Sequence, residues 1–338
     1  MRHATPDAVG GASPLPLASC AKAMVDFEYL IAGMNALARA HRAGSMSGHL
    51  GAAVAAGYFI GERCPDADPA VVEGIEAELN AVRRGESVFS PPANGAISVA
   101  EMFAPFPKEA ADETAIATLA EALARNIDRP RQSGHNVIFA SIAVRGLTDH
   151  PDLATPARVD GLRKLIAKFD GVTPGNGDYG PNRGRIDGRK VTLSDDDGVA
   201  PYQDLTDMAT RILTELVDHA AERRIGFGGL WHVVNHAAAL VELAQYGFPD
   251  LAAAGLPAHR EHLRLWKTLP DLTASRGAEA PTAHDPRTAV FWTDGDPRRE
   301  GARLTHRVKT LYGYDELAAL VDDAALKERA NRALRYLM

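Results

Sequence analysis

The chain has 338 residues, 46% of them hydrophobic, enough to bury a sizeable core as one large domain or two ordinary ones. Its net charge of −7 comes without a basic stripe, which disfavours nucleic acid and anionic membrane surfaces as partners. No segment approaches the roughly 20 apolar residues of a membrane span. The two cysteines, Cys20 and Cys64, lack metal-ligand spacing and suit a reducing, cytoplasmic setting.

The N-terminal stretch MRHATPDAVGGASPLPLASC ends in something like a lipoprotein cleavage box. A signal needs an unbroken apolar run, and Asp7, Gly11, Pro14 and Pro16 interrupt this one, so residues 1–18 read as a disordered leader. The remainder, 19–338, reads as a single all-α domain built from a repeat. Residues 36–49 and 122–135 share Ala-Leu-Ala-Arg at 36–39 and 122–125, and both end in Ser-Gly-His, at Ser47, Gly48, His49 and at Ser133, Gly134, His135. Further on, Pro69, Val72 and Gly74 answer Pro156, Val159 and Gly161, with the offset one residue longer, as an extra residue in a turn produces. Self-similarity at a fixed spacing marks a repeat architecture.

Each unit reads as three helices, amphipathic on either side of a middle helix that is apolar almost all round. The units span about 20–84, 110–169 and 203–269, with a partial unit at 303–338. In the second unit Val137, Ile138, Phe139, Ile142 and Val144 cover every side of the middle helix, which must therefore be buried. Val159, Leu162, Leu165 and Ile166 stripe the third helix, and Pro156 stands near its start, where proline is tolerated. In the third unit Leu205, Met208, Ile212, Leu216 and Val217 stripe the first helix. Stacked units of this kind predict an α/α toroid-like array.

Long stretches at roughly 85–110, 170–202 and 270–302 separate the units. Three antiparallel helices finish at the opposite end from where they begin, so a repeated orientation obliges the chain to run back along about 24 Å of helix. Loops of that length also wall cavities. One of them, GRIDGRKVTL, reads as a small β-hairpin turning at Asp187-Gly188.

If the units share an orientation, His49, His135 and His232 sit at the same end of three buried helices, around one cavity mouth. A helix N-terminus and burial both disfavour the imidazolium and keep the neutral form that binds metals or exchanges a proton. His236 follows His232 by one turn on the same face, a weak metal signal without a zincin glutamate. His306 and Lys309, in THRVK, form a further polar pair. The plainer reading makes each histidine a cap bonded to the preceding turn, although Ser or Asp would cap more cheaply. The other histidines read as surface or loop residues, with His259 and His262 solvated on an outer helix.

Two motifs match known binding loops only in part. GNGDYG spells the dinucleotide fingerprint with Gly175, Gly177 and Gly180, but Pro181 and Asn182 follow where a helix is required. The run Asp195, Asp196, Asp197 lacks the alternating ligands of a calcium loop and reads as a solvated turn.

At NHAAALVELAQYG and THRVK the chain resembles the questin oxidase-like family. That family's pattern has an Asn-His leading a helix, a Gly-His helix ending in Gly-Tyr, and a late His-x-x-Lys. Asn235 and His236 match the first, His49 with Gly57 and Tyr58 the second, and His306 with Lys309 the third, although here the Asn-His helix comes late. The resemblance implies NADPH-dependent oxygenation of an anthraquinone-like polyketide by Baeyer–Villiger insertion, and it favours His236 where the repeat favours His232.

The function expected is an oxidoreductase with a histidine-lined apolar cavity acting on an aromatic or polyketide-like small molecule. His49, His135, His232, His236, His306 and Lys309 are its candidate residues, the imidazoles meeting reacting oxygens or a transition metal and Lys309 holding an anionic intermediate. Trp231, Tyr58 and Phe139 would line the pocket. Two other classes fit the same pattern: a metal-dependent hydrolase or lyase with an acidic ligand such as Glu101 or Glu242, and a non-catalytic carrier of an apolar ligand.

Overall fold

The computed structural model describes residues 24–63, 66–194, 198–293 and 301–338; the leader, both cysteines and the acidic run at 195–197 lie outside them. Among the described residues the fold is all-α, with one two-stranded hairpin. The first unit is α1 (Phe27–Ala43), α2 (Gly48–Arg63) and α3 (Pro69–Arg83), followed by a short α4 (Val99–Phe103). The second is α5 (Ala117–Ala124), α6 (His135–Asp149) and α7 (Pro156–Ala167), followed by β1 (Asn176–Asp178) and β2 (Arg185–Asp187). The third is α8 (Leu205–His219), α9 (Gly229–Gln245) and α10 (Pro249–Lys267), followed by α11 (Thr273–Arg276) and α12 (Ala289–Thr293). The chain closes with α13 (Arg303–Leu320) and α14 (Ala324–Leu334).

The middle helix of each unit packs against that of the next, α2 on α6, α6 on α9 and α9 on α13, and α13 returns to α2. These four form a closed centre, with α1, α3, α7, α8 and α10 packed outside it. In α6, Val137, Ile138, Phe139, Ile142, Val144 and Leu147 are all buried, each side chain contributing about 2 kcal/mol of apolar burial. The α1–α2 contact depends on Gly33 and Gly51. A Cβ on either would strike the facing helix's backbone, so these helices cross at a distance only glycine allows.

Side-chain caps fall on some of the outer helices, while α7 and α10 start without one. Asp26, Asp68, Asp204 and Asp323 each cap α1, α3, α8 or α14 with a side-chain bond to a first-turn N–H. No side chain caps α6, α9 or α13 in this way; α6 and α9 instead start from Gly134 and Gly228, both left-handed. The hairpin exists, but its turn is not at Asp187-Gly188. Tyr179 N–H donates to Gly184 O (2.9 Å) and Gly184 N–H to Gly180 O (2.8 Å), with positive φ at Gly180 and Gly184. Asp187 instead caps a helical turn beginning at Gly188, because its carboxylate accepts from Arg189 N–H at 2.9 Å.

Candidate metal centre

One histidine from each central helix reaches the same point. Neighbouring Nε2 atoms form a closed ring: His49 to His135 at 3.0 Å, His135 to His232 at 2.9 Å, His232 to His306 at 3.3 Å and His306 to His49 at 3.2 Å. All four residues are at most 4% exposed. The four helix N-termini therefore lie at one end of the bundle.

The other nitrogen of each ring settles the tautomer. His49 Nδ1 lies 2.9 Å from Met46 O, His232 Nδ1 2.6 Å from Gly228 O and His306 Nδ1 2.6 Å from Ala302 O, while His135 Nδ1 meets Gln132 O. A nitrogen facing a carbonyl must carry the proton, so every Nε2 is a bare lone pair. The cap contact and the inward-facing nitrogen thus belong to one imidazole. Four lone pairs converging without a proton repel one another, and a cation at the centre removes the conflict. His49, His135 and His232 bring their ligand atoms within 4.8 Å of one another, the spacing of a group that can share one ion, and His306 Nε2 closes the ring beside His49 and His232. The carbonyl bonds fix ring orientation as outer partners of metal-bound histidines do.

Protonation is opposed at each ring. Burial, then the charge of Lys309, lowers His135 to about 3, and burial holds His49, His232 and His306 well below the usual imidazole range. Lys309, three residues beyond His306 on α13, is itself lowered to about 7 by burial. It faces a small internal cavity shared with Asn235 and Glu242, whose Oδ1 and Oε1 have no hydrogen bond.

Above the ring lies a mouth of about 450 Å³, walled in part by all three long loops. Phe89 stacks on His49 at 3.8 Å between ring centroids, and Trp231 stacks on His306 at 4.8 Å. The loops entering α6 and α9 hold the non-glycine residues Gln132, Ser133 and Phe227 at φ of 44°, 63° and 46°. Such strain persists where surrounding bonds enforce it. Gln132 N–H donates to Thr173 O and Ser133 N–H to Pro174 O, both at 2.8 Å, and Phe227 N–H donates to Asn176 O at 2.9 Å. The second long loop therefore braces both histidine-bearing turns.

The other expected residues lie elsewhere. His236 is not in the ring: its Nδ1 is 3.2 Å from His262 Nδ1, in a second cluster that includes His259. His259 and His262 are not solvated but fully buried, because residues three apart share a helix face and theirs turns to α9 while Arg260, Glu261 and Arg264 point outward. Phe139 packs behind His49 and His135, at 5.5 and 5.3 Å between centroids. Tyr58 sits near the other end of the bundle beside His150, and Glu101 is spent on the capping box of α4. Glu242 is also at the far end, where the Arg145 guanidinium gathers Glu62, Glu242 and Glu316; burial and then Glu316 push it up to about 8. Phe89, in a loop, and Arg185, at the start of the short strand β2, carried no periodic signal.

Comparison with family models, with curated proteins and with solved structures finds no match. What fold and site define is an all-α protein whose four central helices bring four neutral imidazoles to one point.

Proposed function

We propose that this protein is a metal-dependent oxidoreductase with a mononuclear transition-metal centre held by His49, His135, His232 and His306. The closed ring of Nε2 lone pairs carries the reading. Imidazole donors suit iron, copper, nickel and zinc. A catalytic zinc keeps three protein ligands and one open position, whereas four protein ligands close a tetrahedral shell. A ring of four with free space above it instead favours a metal that accepts further ligands, such as iron. Such a metal would supply one-electron chemistry and dioxygen activation at the mouth.

The protein's own groups have separable tasks. The ring binds through neutral nitrogens, so no ligand charge offsets the metal's. Phe89 and Trp231 offer aromatic surface to a substrate, in line with an aromatic or polyketide-like molecule. Lys309 adds a proton-exchanging amine beneath the ring.

NADPH, implied by the family resemblance, finds no fit among the described residues. Gly175–Gly180 supplies strand β1 and the hairpin turn, with no helix after it. The arginine-rich groove of about 580 Å³ has its guanidinium groups engaged: Arg129 by Glu261, Arg131 by Asp128, Arg189 by Asp187, and Arg260 and Arg264 by the Val199 and Ser194 carbonyls.

Elemental analysis of the purified protein beside His135→Ala tests the proposal. One transition metal per chain, lost in the variant, is expected, together with oxygen uptake that chelation stops. A metal-free wild type overturns it. One metal per chain with oxygen-independent turnover would turn the centre to hydrolysis.

A further inference from the structure

We infer that the mouth above the four histidines takes a flat aromatic anion, its ring against Phe89 and Trp231 and its acidic group held by Arg185. The inference deepens the reading of the ring as the reacting centre by naming the substrate class. Phe89 and Trp231 each cover one imidazole and are only partly buried, so aromatic surface remains for a ligand beside the His49–His306 edge. A cavity of about 450 Å³ holds a small fused-ring molecule with room to spare.

Charge then decides the ligand. Arg185, on β2, is exposed and lines the mouth, and it has no hydrogen bond or ion pair among the described residues. Its cross-strand partner Asp178 is taken by Arg276 at 3.4 Å and by Gly180 N–H at 3.0 Å. The other lining arginine, Arg224, is bound by Glu222 and by the Lys267 carbonyl at 3.0 Å. Glu279, the one carboxylate among the described lining residues, is neutralised by Arg223 and Arg303, each at 3.2 Å. The mouth therefore keeps an unspent guanidinium and no unspent acid. Four helix N-termini converge beneath it and reinforce the positive potential. A guanidinium fork matches a carboxylate with two parallel bonds.

Calorimetric titration with 2-naphthoate and with its neutral analogue 2-naphthalenemethanol tests the inference on the full chain, as purified and after chelation. The naphthoate is expected to bind at least about tenfold more tightly than the alcohol, as a charge-assisted bond provides. Arg185→Gln should erase that preference without weakening the alcohol, Arg185→Lys should keep much of it, and Trp231→Ala should weaken both ligands. Equal affinities in the wild type, a preference surviving Arg185→Gln, or no binding of either compound overturns it. Metal content measured on the same samples separates the two claims. Charge-selective binding by a metal-free protein sinks the metal centre and keeps this inference, and a metal-loaded protein without charge selectivity does the reverse.

Discussion

Among the described residues seven buried histidines fall into two clusters, and only one of the clusters asks for a cation. In the second, His262 Nε2 donates to Phe227 O at 2.8 Å, so its Nδ1 accepts from His236. His259 Nε2 donates to Val233 O at 3.0 Å, and its Nδ1 accepts from the Tyr202 hydroxyl at 3.1 Å. Donors meet acceptors there, and just one nitrogen, His236 Nε2, is left over. In the ring of four, every proton has already gone to a carbonyl and acceptors face acceptors. Burial and depressed basicity are common to both clusters; the direction of the protons is what separates a ligand set from a packed network.

Metal retention separates the two clusters most widely. His135→Ala should cost at least about a thousandfold in metal affinity, whereas His262→Ala should keep the metal and instead lose about 2–4 kcal/mol of stability to a cavity and an unpaired nitrogen. Metal analysis with chemical denaturation reads both, and equal metal loss in the two variants would erase the distinction.

Lys309→Met should stabilise the protein. The native amine titrates near 7 against 10.5 for an unfolded lysine, so the folded state carries a burial cost in full below pH 7 that disappears above about 10.5. The variant's gain, on the order of 3–5 kcal/mol at pH 7 and below, should shrink as pH rises through that window. A destabilised variant would mean the amine has a partner essential to the fold.

Acid sharpens the contrast by a smaller amount per group. His135 and His259 are lowered to about 3 and His262 to about 4, so the unfolded chain takes up protons that the native state refuses. Metal-free protein should lose stability as pH falls below 6.5, by about 2 kcal/mol per such histidine at pH 5. Loaded with metal, the ring's share should be withheld until the metal leaves, while that of His259 and His262 stays. Superimposable stability–pH curves with and without metal would contradict this.

The all-α class, the buried middle helices and the alignment of His49 with His135 were legible in the sequence, because apolar periodicity and repeat register express contacts between residues a turn or a unit apart. His306 was legible as a candidate from its polar pairing with Lys309. Four residues along a helix return nearly to the same face, so pattern alone could not choose between His232 and His236. The tertiary structure chose by height, since one turn, about 5.4 Å, separates the level of the ring from the level of the second cluster. The same long-range packing turned His259 and His262 inward, moved the hairpin turn to Gly180–Gly184 and carried Phe89 and Arg185 to the mouth. Residues outside the repeated helices follow no such period, and their positions depend on distances between segments far apart in the chain, which local sequence does not encode.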